Sequence, residues 1–131
     1  MHNINELKIW HKALNLADMI YTVTEKFPDT ERYGIISQMR RASVSIGSNI
    51  AEGAGRNSQK EFNHFLGISN GSAYELRFQL ELSLRRNFID AGNHNLIAEE
   101  IDHLIRMNVN FQNRLRSAVD RNNRSTPDGN Q

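Results

Sequence analysis

Only two prolines occur in this chain, at positions 28 and 127, and nearly 100 residues between them hold none. Proline breaks a helix by removing a backbone donor and clashing with the preceding turn. Its absence over such a span, with apolar residues recurring every three or four positions, favours long helices. No alternating apolar–polar run is long enough for a strand, and no internal repeat is present.

The first helix is expected from Asn5 to Phe27, with Asn5 as cap and Pro28 as stop. Trp10, Ala13, Leu14, Ala17, Ile20, Tyr21, Thr24 and Phe27 would form its apolar face. After a tight Pro28-Asp29-Thr30 connection, the second helix is expected from Glu31 to Ala54, with Ile36, Met39, Ser43, Gly47, Ile50 and Ala54 inward. A glycine inside a helix costs about 1 kcal/mol against alanine. Gly47 therefore implies close approach of a neighbouring helix, and Gly53 and Gly55 are expected to end the helix at positive φ. Ser58-Gln59-Lys60-Glu61 reads as a capping box opening a third helix that ends near Phe88. Phe62, Phe65, Leu66, Ser69, Ala73, Leu76, Leu80 and Leu84 would point inward, and Gly67, Gly71 and Ser72 mark a thin region suited to close packing. A polar Asp90–His94 loop leads to a fourth helix capped by Asn95, with Ile97, Ile101, Leu104, Ile105, Asn108, Phe111, Leu115, Ala118 and Val119 inward. The fold class is all-α, an antiparallel up-down-up-down four-helix bundle over 1–120, with 121–131 as a disordered polar tail.

The chain's 131 residues suit one domain, and its net charge of +1 neither demands nor excludes an anionic partner. The absence of cysteine rules out disulfides and thiolate metal sites. No signal peptide or membrane-spanning stretch is read, so a soluble cytoplasmic protein without membrane partners is expected.

Several blocks then carry a family likeness: Trp10, Tyr21, Phe27-Pro28, Tyr33-Gly34, Gln38-Met39-Arg40-Arg41-Ala42, Ser45-Ile46, Asn49-Ile50-Ala51-Glu52-Gly53, Gly55-Arg56, Ser58, Glu61-Phe62, Phe65-Leu66, Gly71-Ser72 and Glu75-Leu76. This pattern resembles the S23 or 23S rRNA intervening-sequence protein family, bacterial four-helix bundles that include accessory proteins of diversity-generating retroelements. The resemblance implies a homopentamer and no enzyme activity. It also implies, for retroelement members, binding to nucleic acid and to a reverse transcriptase as protein partner. Gly47 departs from the family, which often has proline there.

The residues themselves offer little catalytic chemistry. Glu61-x-x-His64 and Glu100-x-x-His103 have di-iron bundle spacing. Yet His64 and His103 lie about 200° round the helix from Phe62 and Ile101, so both should point away from the core. The serines of the second helix have no histidine partner, and Gly53-Ala54-Gly55 lacks the lysine and spacing of a phosphate loop. No catalytic residue, metal or cofactor is expected.

Two surfaces are candidates for binding. Arg41, Ser45, Ser48, Asn49 and Glu52 make the back of the second helix, whose short side chains suit contact with a neighbouring subunit of a homo-oligomer. At one end of the bundle, Lys8, Lys12, Arg56, Lys60, Arg114, Arg116, Arg121 and Arg124 outnumber Glu6, Glu52, Glu61, Asp120 and Asp128. The other end is acidic, with Glu99, Glu100 and Asp102 among its charges. In a ring of parallel protomers the basic ends would form a rim for RNA or DNA, held electrostatically with little sequence specificity. The alternative is a protein-interaction scaffold with no nucleic-acid role.

Overall fold

The periodic segments become four helices in the computed structural model, which describes residues 2–125. They are α1 (Lys8–Thr24), α2 (Ile35–Ala54), α3 (Gln59–Arg85) and α4 (Ala91–Ser125), with single 3-10 turns at Ile4–Glu6 and Asp29–Glu31. Helix–helix bonds establish their directions. Thr24 accepts from Arg40 while Ala54 accepts from the backbone N–H of His2, so α1 and α2 run oppositely. Ser45 faces Ser72 and Ser83 faces Met39, reversing α3 against α2. Gln112 reaches Asn63 and Asn70, whereas Asp102 reaches Arg77, reversing α4 against α3. Short connections and an apolar face on each helix leave this up-down-up-down arrangement as the way to bury all four faces together.

The core runs the length of the bundle. Leu16, Ile20, Met39, Ile46, Ile50, Phe62, Leu66, Leu76, Leu80, Ile101 and Leu104 are fully buried. Phe27 and Phe88 meet at one end, and His2, Phe62 and Phe111 at the other. Burying a Leu, Ile or Phe is worth about 1.5–3 kcal/mol each. Most of the expected core positions are inside. On α1, however, the buried face is Ile9, Ala13, Leu16, Ile20 and Thr24, rotated from the expected one, and Leu14 and Tyr21 are exposed. Ile9 and Leu16 take the inward position on α1, with Ile9 beside Met107 and Phe111 of α4.

Helix ends differ from expectation for identifiable reasons. The start of α1 has Leu7 at its cap position with no side-chain bond, because Asn5 is taken up in the preceding 3-10 turn. The second helix starts at Ile35, after a separate turn at Asp29–Glu31. Ser58 caps α3 as expected, accepting from the backbone N–H of Glu61 at 3.0 Å. That helix ends at Arg85 and not Phe88, with Asn87 in the left-handed region at φ 61°. The N–H groups of Asn87 and Phe88 then bond back to Leu84 and Ser83, the paired closure of a Schellman end. Asp90, not Asn95, caps α4, accepting from Asn93 N at 2.7 Å. The expected tail boundary at 120 falls inside α4, which continues to Ser125, the last described residue. The rest of the expected tail, 126–131, lies outside the described residues.

The glycines change meaning. No glycine among the described residues has positive φ, and Gly55 is right-handed at φ −81°. Gly53 is there for space: a Cβ would stand 2.7 Å from Phe62 Cδ1 and 2.9 Å from Phe65 Cβ. At Gly47 a Cβ would meet Ala13 at 3.5 Å, ordinary contact, so α1 does approach closely but leaves room for a methyl. Gly71 faces open space, and Gly67 has only the Gln112 side chain near, so neither packs within the bundle as expected.

Polar bonds fix α3 against α4. Fully buried Asn108 donates to Ser69 Oγ at 3.1 Å and Asn70 Oδ1 at 3.0 Å. Nearer the acidic end, Glu81 takes hydrogen bonds from Arg77 and buried His94, and Arg77 also reaches Asp102. The bond from Arg77, then that from His94, holds the Glu81 carboxyl below its usual range.

Gly53→Ala should destabilise the protein by about 1–3 kcal/mol through overpacking. Gly47→Ala should be neutral or stabilise by up to about 1 kcal/mol. Thermal melts of the two variants, one falling and one not, check the pair.

A carboxyl depressed on folding adds stability above its unfolded pKa of about 4.3, and loses it as pH falls through the lower folded value. Glu81→Gln should therefore weaken the protein at about pH 7, by under about 1 kcal/mol because the pair is half exposed. The difference should vanish by about pH 3. Urea unfolding at both pH values measures it.

Candidate nucleic-acid interface

The basic end is built from the start of α1, the α2–α3 connection and the last turns of α4. Helix geometry places α4's cations first. At 100° per residue, Arg114, Arg121 and Arg124 fall on one face, spread along about 15 Å. All three are exposed. They sit in the C-terminal half of the helix, where the dipole favours positive charge. Across a groove from them stands the start of α1. Lys8 and Glu6 on one side and Asn110, Asn113 and Arg114 on the other line a cleft of 580 Å³. Arg114 lies over the Phe111 ring, 5.1 Å from its centroid, which holds the guanidinium at the cleft's edge. Arg116 points off this face and reaches Asn113 at 3.5 Å.

The α2–α3 connection contributes less free charge. Arg56 pairs with Glu52 at 2.9 Å and stacks over Phe65, 4.9 Å from its centroid. Lys60 is exposed in the first turn of α3 and makes no ion pair among the described residues. Aromatic rings are thus present at this end, but Arg56 and Arg114 lie over Phe65 and Phe111.

Lys12 does not belong to the basic end. Its ammonium is 2.5 Å from Glu100, a residue assigned from the sequence to the opposite, acidic end. Lys12 lies one turn beyond the start of α1, about 6 Å along the axis, and Glu100 is ten residues into α4. Assignment by end overlooked that long side chains of adjacent helices meet along the flanks. This pair removes one charge from each pole and weakens the polarity without abolishing it.

The candidate subunit surface divides in two. Arg41, Ser48 and Glu52 are exposed, and Ser48 borders a groove between α1 and α2. Ser45 turns toward α3, 2.8 Å from Ser72, and Asn49 donates to Ser45 O of its own helix at 2.8 Å. Their polar groups are therefore already used inside the chain. One surface was missed. Ile68, Tyr74, Phe78 and Leu82 of α3 are all exposed. Their positions recur at helical spacing, a signal present in the sequence beside the stronger inward pattern.

His64 and His103 are exposed, as helical geometry requires, and His64 stacks edge-on with Phe65. Glu100, the partner of His103 in the di-iron spacing, is engaged by Lys12. No group of three or more metal-ligating side chains is found among the described residues. Nor is any helix there long and apolar enough to cross a membrane.

The 23S rRNA-intervening sequence protein model matches residues 5–110. Among solved structures, the chain is similar to a protein of unknown function from the S23 ribosomal protein family of Bacteroides thetaiotaomicron. The two share 23% identity, with a TM-score of 0.75 over 80% of this chain and 95% of that one. This likeness bears on the fold. No curated protein matches.

Proposed function

The chain belongs to the 23S rRNA-intervening sequence protein family, and from that premise we propose that it is a non-enzymatic, oligomeric protein whose basic end binds RNA or DNA. The observation that carries this reading is the row of Arg114, Arg121 and Arg124 on one exposed face of α4, with Lys8 across the cleft. Guanidinium groups on a rigid helix suit phosphate oxygens, and neutralising phosphates releases counterions. The Phe65 and Phe111 rings at this end lie under Arg56 and Arg114 and are not open to stacking bases. The contacts are accordingly to the backbone, with little sequence preference.

One protomer presents only a handful of these cations. Assembly of parallel copies, a homopentamer as the family resemblance implies, would repeat them around one rim and raise the local potential. A cytoplasmic location follows from such a partner.

A second reading, a protein-interaction scaffold, draws support from another place. Tyr33 is 91% exposed and borders a groove with Arg32 and Arg41, and Tyr and Arg are enriched where protein partners bind tightly. A reverse transcriptase is a partner of suitable kind. The two readings part on salt and charge.

Reversing Arg114, Arg116 and Arg121 together to Glu should abolish binding of a mixed-sequence RNA or DNA duplex. The fold, read by circular dichroism, should be unchanged, because all three side chains are exposed. For the unmodified protein, affinity should fall steeply between about 50 and 300 mM salt. Fluorescence anisotropy measures both. Salt-independent binding, or no binding by the unmodified protein, would rule out the nucleic-acid reading and favour the scaffold.

A further inference from the structure

Beside the point where Ser45 meets Ser72 at 2.8 Å, a groove of 500 Å³ lies between α2 and α3. Tyr33, Ser37, Arg41 and Ser45 line it from the α2 side, and Glu75 and Gln79 from α3. Ser37, Arg41 and Ser45 recur every four residues, as do Glu75 and Gln79, so each set stands on one helix face. The volume lies within the range of small-molecule sites, about 300–1,000 Å³.

The antiparallel helices bring opposite charges to one level of this groove. Arg41 lies four residues before Ser45, and Glu75 three residues after Ser72. Both are therefore displaced about 5 Å along the axis, to the same side of the serine contact. Neither has an ion-pair or hydrogen-bond partner among the described residues. One turn further along α3 comes Gln79, which is only 7% exposed and whose Oε1 is buried with no hydrogen-bond partner. A buried acceptor of this kind costs stability until a donor reaches it.

These three groups ask for a ligand with an anionic end, a cationic end and a spare donor. A phosphate would gain at Arg41 and lose at Glu75. A hydrocarbon would meet a lining of mostly polar side chains. We propose that the α2–α3 groove binds a free α-amino acid as its zwitterion, the carboxylate on Arg41 and the ammonium between Glu75 and Gln79 Oε1. A guanidinium offers parallel N–H donors that match the two carboxylate oxygens. The three donors of an ammonium group suffice for the Glu75 carboxylate and the Gln79 carbonyl together. The Ser37 hydroxyl and the Tyr33 phenol remain for the ligand's side chain, which favours a polar one. The groove is distinct from the cleft at Lys8 and Arg114, and its occupation does not depend on nucleic acid.

Isothermal titration of the full chain with each L-amino acid should give saturable binding of at least one, with one site per chain. The amide of that amino acid lacks the carboxylate, and its N-acetyl form lacks the ammonium. Each should bind about tenfold or more weakly, as should the amino acid itself to Arg41→Gln and Glu75→Gln, since a charge-assisted bond is lost. Both side chains are exposed, so circular dichroism should show these variants folded. Gln79→Leu should also weaken binding, yet melt no lower than the wild type, because it removes a buried unpaired acceptor. Reversal of Arg114, Arg116 and Arg121 should leave amino-acid binding unchanged. Failure of every amino acid to bind overturns the proposal, as does binding that survives loss of Arg41 or Glu75 or disappears with the α4 arginines. An amide or N-acetyl form that binds as well as the free amino acid also overturns it, and points instead to the N- or C-terminus of a peptide.

Discussion

The close approach of α2 and α3 sets the terms for everything else in this bundle. It is made by small residues where large ones would hold the helices apart. Gly53 lets Phe62 and Phe65 lie against the end of α2. Ser69 donates to the carbonyl of Ile46 at 2.9 Å, and Ser45 and Ser72 meet at 2.8 Å. A serine hydroxyl that reaches the backbone of its neighbour requires the two helix axes to be near, and each such bond also fixes register. Close packing then makes the interior unforgiving, since one added methyl at Gly53 has nowhere to go.

That approach has a consequence for the outside. Short side chains at Ser45, Gly53, Ser69 and Ser72 let the two helices approach, and their outer sides carry a different set of residues. On α2 the outer side is Arg41, Val44, Ser48 and Glu52; on α3 it is Ile68, Tyr74, Phe78 and Leu82. Neither is the fully charged surface usual for an isolated bundle. The electrostatic layout follows from the same topology. Alternating directions bring the start of α1 beside the end of α4, which concentrates Lys8 and the α4 arginines at one pole. The Lys12–Glu100 pair marks where that pole stops.

How far these features could be read beforehand depends on how local their causes are. The Ser58 cap is written in four consecutive residues and was legible. So were the four helices, the absence of proline and the inward direction of most apolar positions. The α4 arginines were legible as a basic cluster, but their common face needed the helix to run unbroken past residue 120. Asn87, which ends α3, was not legible, because asparagine enters the left-handed region only where the following chain must turn back. The rotated face of α1 was missed because Trp10, Leu14 and Tyr21 are as apolar as Ile9 and Leu16 by type. Only the position of α4 decides between them.

The sequence by itself determined the helices, their number and order, and the family to which they belong, because periodicity, capping and proline placement act within a few residues. Tertiary structure decided what the small and charged residues are for. Gly53 became a contact with Phe62 instead of a turn, Lys12 left the basic pole for Glu100, and α3 was found to be apolar on two sides. The physical reason is the same in each case. Steric room, ion pairing and exposure are properties of pairs of helices, and no single segment contains them.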